Sequence, residues 1–253
     1  MFVGHFHTDQ TNMAVEPRIV RGGAERRFYT IAAIGAALIV FAGFAHSFYL
    51  RAVIGAPSWA PAMSLLLQVH GLVMTSWFLL FVVQARLIAT RRTPLHRRLG
   101  VFGGVLAATM LILGTVVAIT QAKLGRSPGP PPLAFLVVPL GDMLVFGVLV
   151  GAGLYFRNRV QIHRRLMLLS TLAILGAAIA RIPLGFIATG GPLVFFGLTD
   201  LCIAGCVAYD TWRHRRLHPA FALGALFIVA SHPLRLMLAG TSQWMQFATW
   251  LTR

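Results

Sequence analysis

A chain of 253 residues with 22 Lys plus Arg against 6 Asp plus Glu, 57% hydrophobic and 11% charged, has too little charge for a water-soluble domain, which carries about 25%. Its aromatic and branched apolar residues are too plentiful for a disordered chain, and a mean hydropathy of +0.77 points to lipid as the solvent. The formal charge of +16 would suggest nucleic acid in a soluble protein, but here the arginines stand in short clusters between apolar runs, a membrane pattern that leaves nucleic acid out as a partner.

Seven apolar runs meet the length of roughly 20 residues that a helix needs to cross a bilayer. They cover 28–50, 65–89, 99–122, 134–156, 166–187, 192–212 and 220–240, and the sixth, which holds Asp200 and Asp210, reads as the least hydrophobic. The prediction is an all-α polytopic bundle of seven transmembrane helices over 28–240. A cytoplasmic segment, 1–27, precedes it and a short amphipathic outer tail, 241–253, follows. The first run is longer than the 7 to 15 residues of a signal-peptide core, so it reads as a retained helix. Cys202 and Cys206, four apart on the sixth run, read as packing residues.

Orientation follows from the basic residues, because short cytoplasmic loops keep Lys and Arg. Fifteen fall on the side of the N-terminal segment and the second, fourth and sixth connections. Four fall on the other side (Arg51, Lys123, Arg126 and Arg253), and Arg86, Arg181 and Arg235 lie within runs. The expectation is N-terminus in and C-terminus out, with anionic lipid headgroups as partners of the basic face.

Two inner turns share a design: His96-Arg97-Arg98-Leu99-Gly100 between runs two and three, and His163-Arg164-Arg165-Leu166-Met167 between four and five. A looser third version is Arg213-His214-Arg215-Arg216-Leu217-His218-Pro219. The group His96, Arg97, Arg98, His163, Arg164 and Arg165 reads as a site for a phosphate or lipid headgroup, or as topogenic charge alone. The HRRLG and HRRLM turns, with Arg181, Asp200, Asp210 and the His-Pro of the second half, resemble a bacterial seven-helix inner-membrane family of unestablished function. They are more distantly similar to membrane proteins of haem-copper oxidase maturation. The resemblance implies the seven-helix topology and a bacterial inner-membrane location. It assigns no catalytic residue.

Ionisable residues inside spans are costly and mark function or helix pairing. His46, His70, Asp142, Arg181, Asp200, His232 and Arg235 all fall in the outer half of their runs, which predicts one outward-opening pocket. His70, Met74, Trp77 and Gln84 make one stripe on run two, facing the bundle, and Pro183 and Pro233 weaken the helices beside Arg181 and His232. Asp142 and Asp200 are expected to neutralise Arg181 and Arg235 as structural ion pairs.

Three functions suit these residues. In the leading one, a b-type haem- or quinone-associated redox or assembly protein, His46, His70 and His232 offer imidazoles and Arg181 or Arg235 holds a propionate. Such a protein would sit in a membrane redox complex or beside other membrane subunits. In the second, a zinc-dependent membrane hydrolase, His46, His70, His232 and Asp200 are the ligands. The third is a transporter or receptor for a small anion or lipid, bound through Arg181 and Arg235. Lining up Gly125 to Pro132, with four prolines, suggests a stiff loop or lid over the pocket.

Overall fold

The computed structural model describes residues 16–58, 60–127 and 130–253; residues 1–15, and with them over half of the expected N-terminal segment, lie outside it. The first crossing is α1, Glu16–Phe44, extended by a π turn, Ala45–Tyr49, and followed by the short α2, Arg51–Ile54. Next come α3, Leu65–Ala89, and α4, Thr93–Lys123. The fourth crossing is a short α5, Pro132–Phe135, running into α6, Val137–Tyr155. The fifth is α7, Val160–Ala173, continued by one turn, α8, Gly176–Ile179. Then follow α9, Gly185–His214, α10, Pro219–Ala239, and a tail helix α11, Ser242–Leu251. Among the described residues no strand occurs, and seven crossings are long and apolar enough to span a bilayer. The protein is a polytopic helical membrane protein.

Local chemistry sets the helix boundaries. The Ser64 hydroxyl accepts from Leu67 N–H at the start of α3, Pro94 occupies the first turn of α4, and Thr241 accepts from Trp244 N–H at the start of α11. At α10 the His218 ring nitrogen accepts from Ala220 N–H at 3.1 Å, which needs the neutral imidazole. Burial, assisted by Arg165, holds the His218 pKa below its ordinary value and keeps that cap in place at neutral pH. Arg91 and Arg215 take left-handed φ values of 62° and 57° where α3 and α9 stop. α9 is kinked at Gly191, φ 56°, where Pro192 follows.

The fifth crossing differs from the expected one. It begins at Val160 and ends at Ile179 rather than spanning 166–187, because the residue before Pro183 is pushed out of helical geometry and the chain turns at 180–184. Arg181 therefore sits in the turn between crossings five and six. This crossing, with mean hydropathy 1.4 over its best window, is the least hydrophobic, below the sixth at 1.8. The reason is its position: 72% of that window is buried, against at most 39% for any other crossing, so it is the central helix and packs against protein. Its buried polar side chains find partners there. Trp77 Nε1 of α3 donates to Thr171 Oγ1 at 3.2 Å, while Ser170 and Thr171 both donate to Met167 O. The outer helices instead expose leucines, isoleucines and valines such as Ile31, Leu38, Val101, Ile112, Leu144 and Leu223, the surface a lipid solvent selects.

Close backbone crossings bind the outer helices to this centre. A Cβ at Gly43 would stand 2.1 Å from the Ala178 carbonyl oxygen, so α1 crosses α8 with main chain against main chain. The tail helix α11 returns over the end of the bundle, with Trp244 buried and its Nε1 donating to Leu133 O at 2.9 Å, while Phe247 and Trp250 stay exposed. That division suits a helix lying in the membrane interface.

Candidate functional site

Seven crossings put the basic connections at one end of the bundle, here the Arg-rich end, and Arg51, Lys123, Arg126 and Arg253 at the other, the Arg-poor end. The Arg-poor end holds a cavity of about 880 Å³ between α1, α3, α4, α6 and α8. Its rim is formed by Arg51, Gln121, Arg126, Ser127 and Pro130–Pro132, so the Pro-rich stretch stands at the mouth; residues 128 and 129 lie outside the described residues. Below the rim come His70 and Arg181, then an apolar interior of Val40, Phe78, Val117, Met143 and Ile174.

Arg181 is the exceptional group. Its Nη1 donates to the Ala177 carbonyl at 2.6 Å and its guanidinium lies 4.9 Å from the Phe44 ring centroid, but no carboxylate among the described residues pairs with it. Burial lowers the Arg181 pKa from its ordinary value, yet a guanidinium keeps its proton at any physiological pH. An arginine fork with donors to spare therefore faces a cavity. His70 lines the same cavity, with a buried Nδ1 that has no hydrogen-bond partner.

The two expected ion pairs are redistributed. Asp142 pairs with Arg235, Nη1 to Oδ1 at 2.5 Å, while Arg235 Nη2 donates to Ser231 Oγ at 3.0 Å and its guanidinium faces the Phe196 ring at 5.6 Å. Asp200 neutralises neither arginine. Its Oδ1 lies 3.0 Å from His232 Nδ1, but the two are not aligned for a hydrogen bond, and both His232 nitrogens and that carboxylate oxygen have no partner. His232 is stacked on Phe196, ring centroids 4.1 Å apart. Pro233 interrupts the α10 ladder beside it.

Arg235 lies directly on Gly141, where a Cβ would fall 2.4 Å from its Nε. Gly141→Ala is therefore expected to push the guanidinium off Asp142 and to lower stability by about 1–2 kcal/mol, the cost of modest overpacking. Thermal unfolding in detergent checks this, and an unchanged midpoint would contradict the close seat of Arg235.

His46 does not join the cavity. Equal depth suggested that it faces His70, but the π turn at Ala45–Tyr49 advances fewer degrees per residue than an α-helix and swings His46 away from the Gly43 stripe, leaving it exposed while Ser47 is buried. The facing His46–His70 pair expected for haem is not formed. Nor do the four expected zinc ligands meet: His46 points outward, His70 lines the cavity, and His232 with Asp200 forms a separate pair. Among the described residues, no three His, Cys, Asp or Glu side chains are grouped to hold a metal. The stripe on α3 does turn inward, His70 and Met74 to the cavity, Trp77 to Thr171 and Gln84 Nε2 to His96 O at 3.2 Å.

At the Arg-rich end the expected headgroup site is only partly available. Arg165 is buried and bound by Nε and Nη2 to the Asp210 carboxylate at 2.9–3.0 Å. Arg164 pairs with Glu25, whose Oε1 also lies 2.9 Å from His214 Nε2. Gln161 Oε1 accepts from both arginines. Two acids and one amide thus occupy Arg164 and Arg165, and tie α1, α7 and α9 together. His163 Nδ1 lies 2.8 Å from Gly153 O, and its ring stands 6.3 Å from that of His96, so the two HRRL turns meet there. Arg97 and Arg98 remain exposed. Glu25 escaped the sequence reading, and His214 entered it only as part of the looser third turn; with only six acids in the chain, asking which base each one neutralises was the signal that could have found the contact.

Fold and cavity define a seven-helix integral membrane protein with a polar-rimmed cavity open at its Arg-poor end. No family profile, curated protein or solved structure matches the chain, so its function is read from its own geometry.

Proposed function

We propose that this chain binds a small anion or the anionic headgroup of a lipid in the Arg-poor-end cavity, as a receptor or transporter in a bacterial inner membrane. The positive-inside rule then sets the cavity mouth on the outer side. The observation that carries the reading is Arg181, a charged guanidinium with no carboxylate partner among the described residues, facing an 880 Å³ cavity. A half-buried cation with no carboxylate beside it keeps donors free, and an anionic ligand satisfies them with fork-like hydrogen bonds. Arg51 and Arg126 on the rim add positive potential that draws anions to the mouth. Arg235, expected to share this role, is already neutralised by Asp142 and acts as a helix tie.

Titration of the protein in phosphatidylcholine nanodiscs with inorganic phosphate and with dodecyl phosphate tests the reading. Arg181→Gln is expected to weaken binding by about ten- to a hundredfold, the worth of one hydrogen bond to a charged group. Because Arg181 has no carboxylate partner, the substitution strands no charge, and the melting temperature is expected to hold. Absence of binding by both anions, or binding indifferent to Arg181→Gln, overturns it.

A quinone- or haem-associated role keeps one supporting observation, the buried and unpartnered Nδ1 of His70 in the cavity wall. An optical spectrum of the purified protein with a Soret band would favour that role over anion binding.

A further inference from the structure

We propose that the ligand of this cavity is a single-chain anionic amphiphile, its head at Arg181 under the rim arginines and its one apolar chain running down into the bundle. This deepens the anion-site reading and rests on it.

The cavity is long and graded in polarity. Along α3 its lining runs from Leu67 to Phe78, which at 1.5 Å per residue is about 16 Å of depth. Three of the crossings around it give polar residues near the mouth and apolar ones below, while α3 carries His70 and Thr75 part-way down. On α4 the order from the mouth is Gln121, Ala118, Val117 and Gly114; on the first crossing it is Tyr49, Ser47, Phe44 and Val40; on the fifth it is Arg181, Ala178 and Ile174. One charge reaches the deep level, the Asp142 carboxylate, and Arg235 neutralises it from behind. A small hydrated anion would leave this apolar shaft to water that gains little there, whereas an acyl or alkyl chain fills it.

Size limits the number of chains. At roughly 30 Å³ per non-hydrogen atom, the share water takes in the liquid, a volume of 880 Å³ holds about thirty atoms. That suits one head with one chain and falls short of a two-chain phospholipid. The glycine and alanines of the shaft, Gly114, Ala118 and Ala178, keep it open, and Met74 and Met143 give it walls that adapt to chain length.

The test uses the full chain in phosphatidylcholine nanodiscs, doped at equal mole fraction with dodecyl phosphate or with two-chain phosphatidic acid, the number bound per protein being read by native mass spectrometry. Both probes carry a phosphate monoester and both are held by the same bilayer, so they differ in the second chain and in the glycerol ester that carries it. One dodecyl phosphate per protein is expected, preferred over phosphatidic acid by at least about tenfold, as a pocket discriminates by fit, and lost in Arg181→Gln. Ala118→Leu, which narrows the shaft, is expected to reduce dodecyl phosphate binding by a larger factor than inorganic phosphate binding. If phosphatidic acid binds equally or better, or if inorganic phosphate displaces dodecyl phosphate at equal concentration, the single-chain proposal falls while the anion site stands. If no phosphate species depends on Arg181, both fall.

Discussion

Asp210→Ala is expected to destabilise this protein by about 3–5 kcal/mol, the cost of leaving one partner of a buried ion pair uncompensated. Arg165 and Asp210 have side chains only 1% exposed, and two guanidinium nitrogens of Arg165 reach the carboxylate. With Asp210 gone, Arg165 keeps only the carbonyl and amide oxygens of Gln161 and the ring of Phe221, 5.6 Å from its centre, none of which carries charge. A guanidinium cannot discard its proton to escape. Arg165→Met strands a carboxylate instead, which can take up a proton, so its cost is expected to be smaller. The double variant Arg165→Met/Asp210→Leu removes both charges and is expected to recover most of the loss. Unfolding midpoints of the three variants in one detergent decide the matter. Equal melting of Asp210→Ala and the parent protein would mean that the pair is not sealed from water.

Gly43→Ala is the second large effect, expected at about 3 kcal/mol, the upper end of the usual range for overpacking. The added methyl would sit 2.1 Å from the Ala178 carbonyl oxygen and 2.7 Å from its carbon, and neither atom belongs to a side chain that could rotate aside. α1 would have to lift off the central crossing. Arg181 follows Ala178 by three residues and stacks on Phe44 of α1, so the same displacement is expected to reach the cavity and weaken anion binding along with stability. Parallel measurements of melting temperature and dodecyl phosphate binding test both consequences, and a Gly43→Ala protein normal in the two would refute so close a crossing.

Much of this was legible without coordinates, and the failures share one cause. Run length and hydropathy locate crossings because a bilayer imposes the same 30 Å on every helix. Depth is therefore readable along one sequence, and the outer-half grouping of His70, Asp142 and Arg181 does correspond to one cavity. Azimuth is not readable where the helix departs from regularity. His46 missed the cavity because five residues adopt a π turn, and Arg181 left its span because Pro183 ended the helix early. Pairing is harder still. Asp142 and Asp200 lie at similar depth, and nothing in one chain says that Asp142 faces Arg235 while Asp200 faces His232.

The Arg-rich turns show the same division. Clustered arginine marks one face of the membrane, since each charge acts independently during insertion, but it does not say which arginines stay on the surface. Arg97 and Arg98 are exposed, whereas Arg164 and Arg165, in the same HRRL motif, are taken by Glu25 and Asp210 because α7 is the central helix and its first turn is surrounded by α1 and α9.

Composition and periodicity were thus enough to establish seven crossings and their order, because these depend on the solvent and on distance along one helix. Which charges pair was settled only by the packing of all seven, because charge pairing in lipid depends on the direction a side chain faces and on which helix stands opposite. Among the described residues six charges close on one another in three carboxylate–arginine pairs, and Arg181, with no carboxylate beside it at an open cavity, is where the proposed ligand would sit.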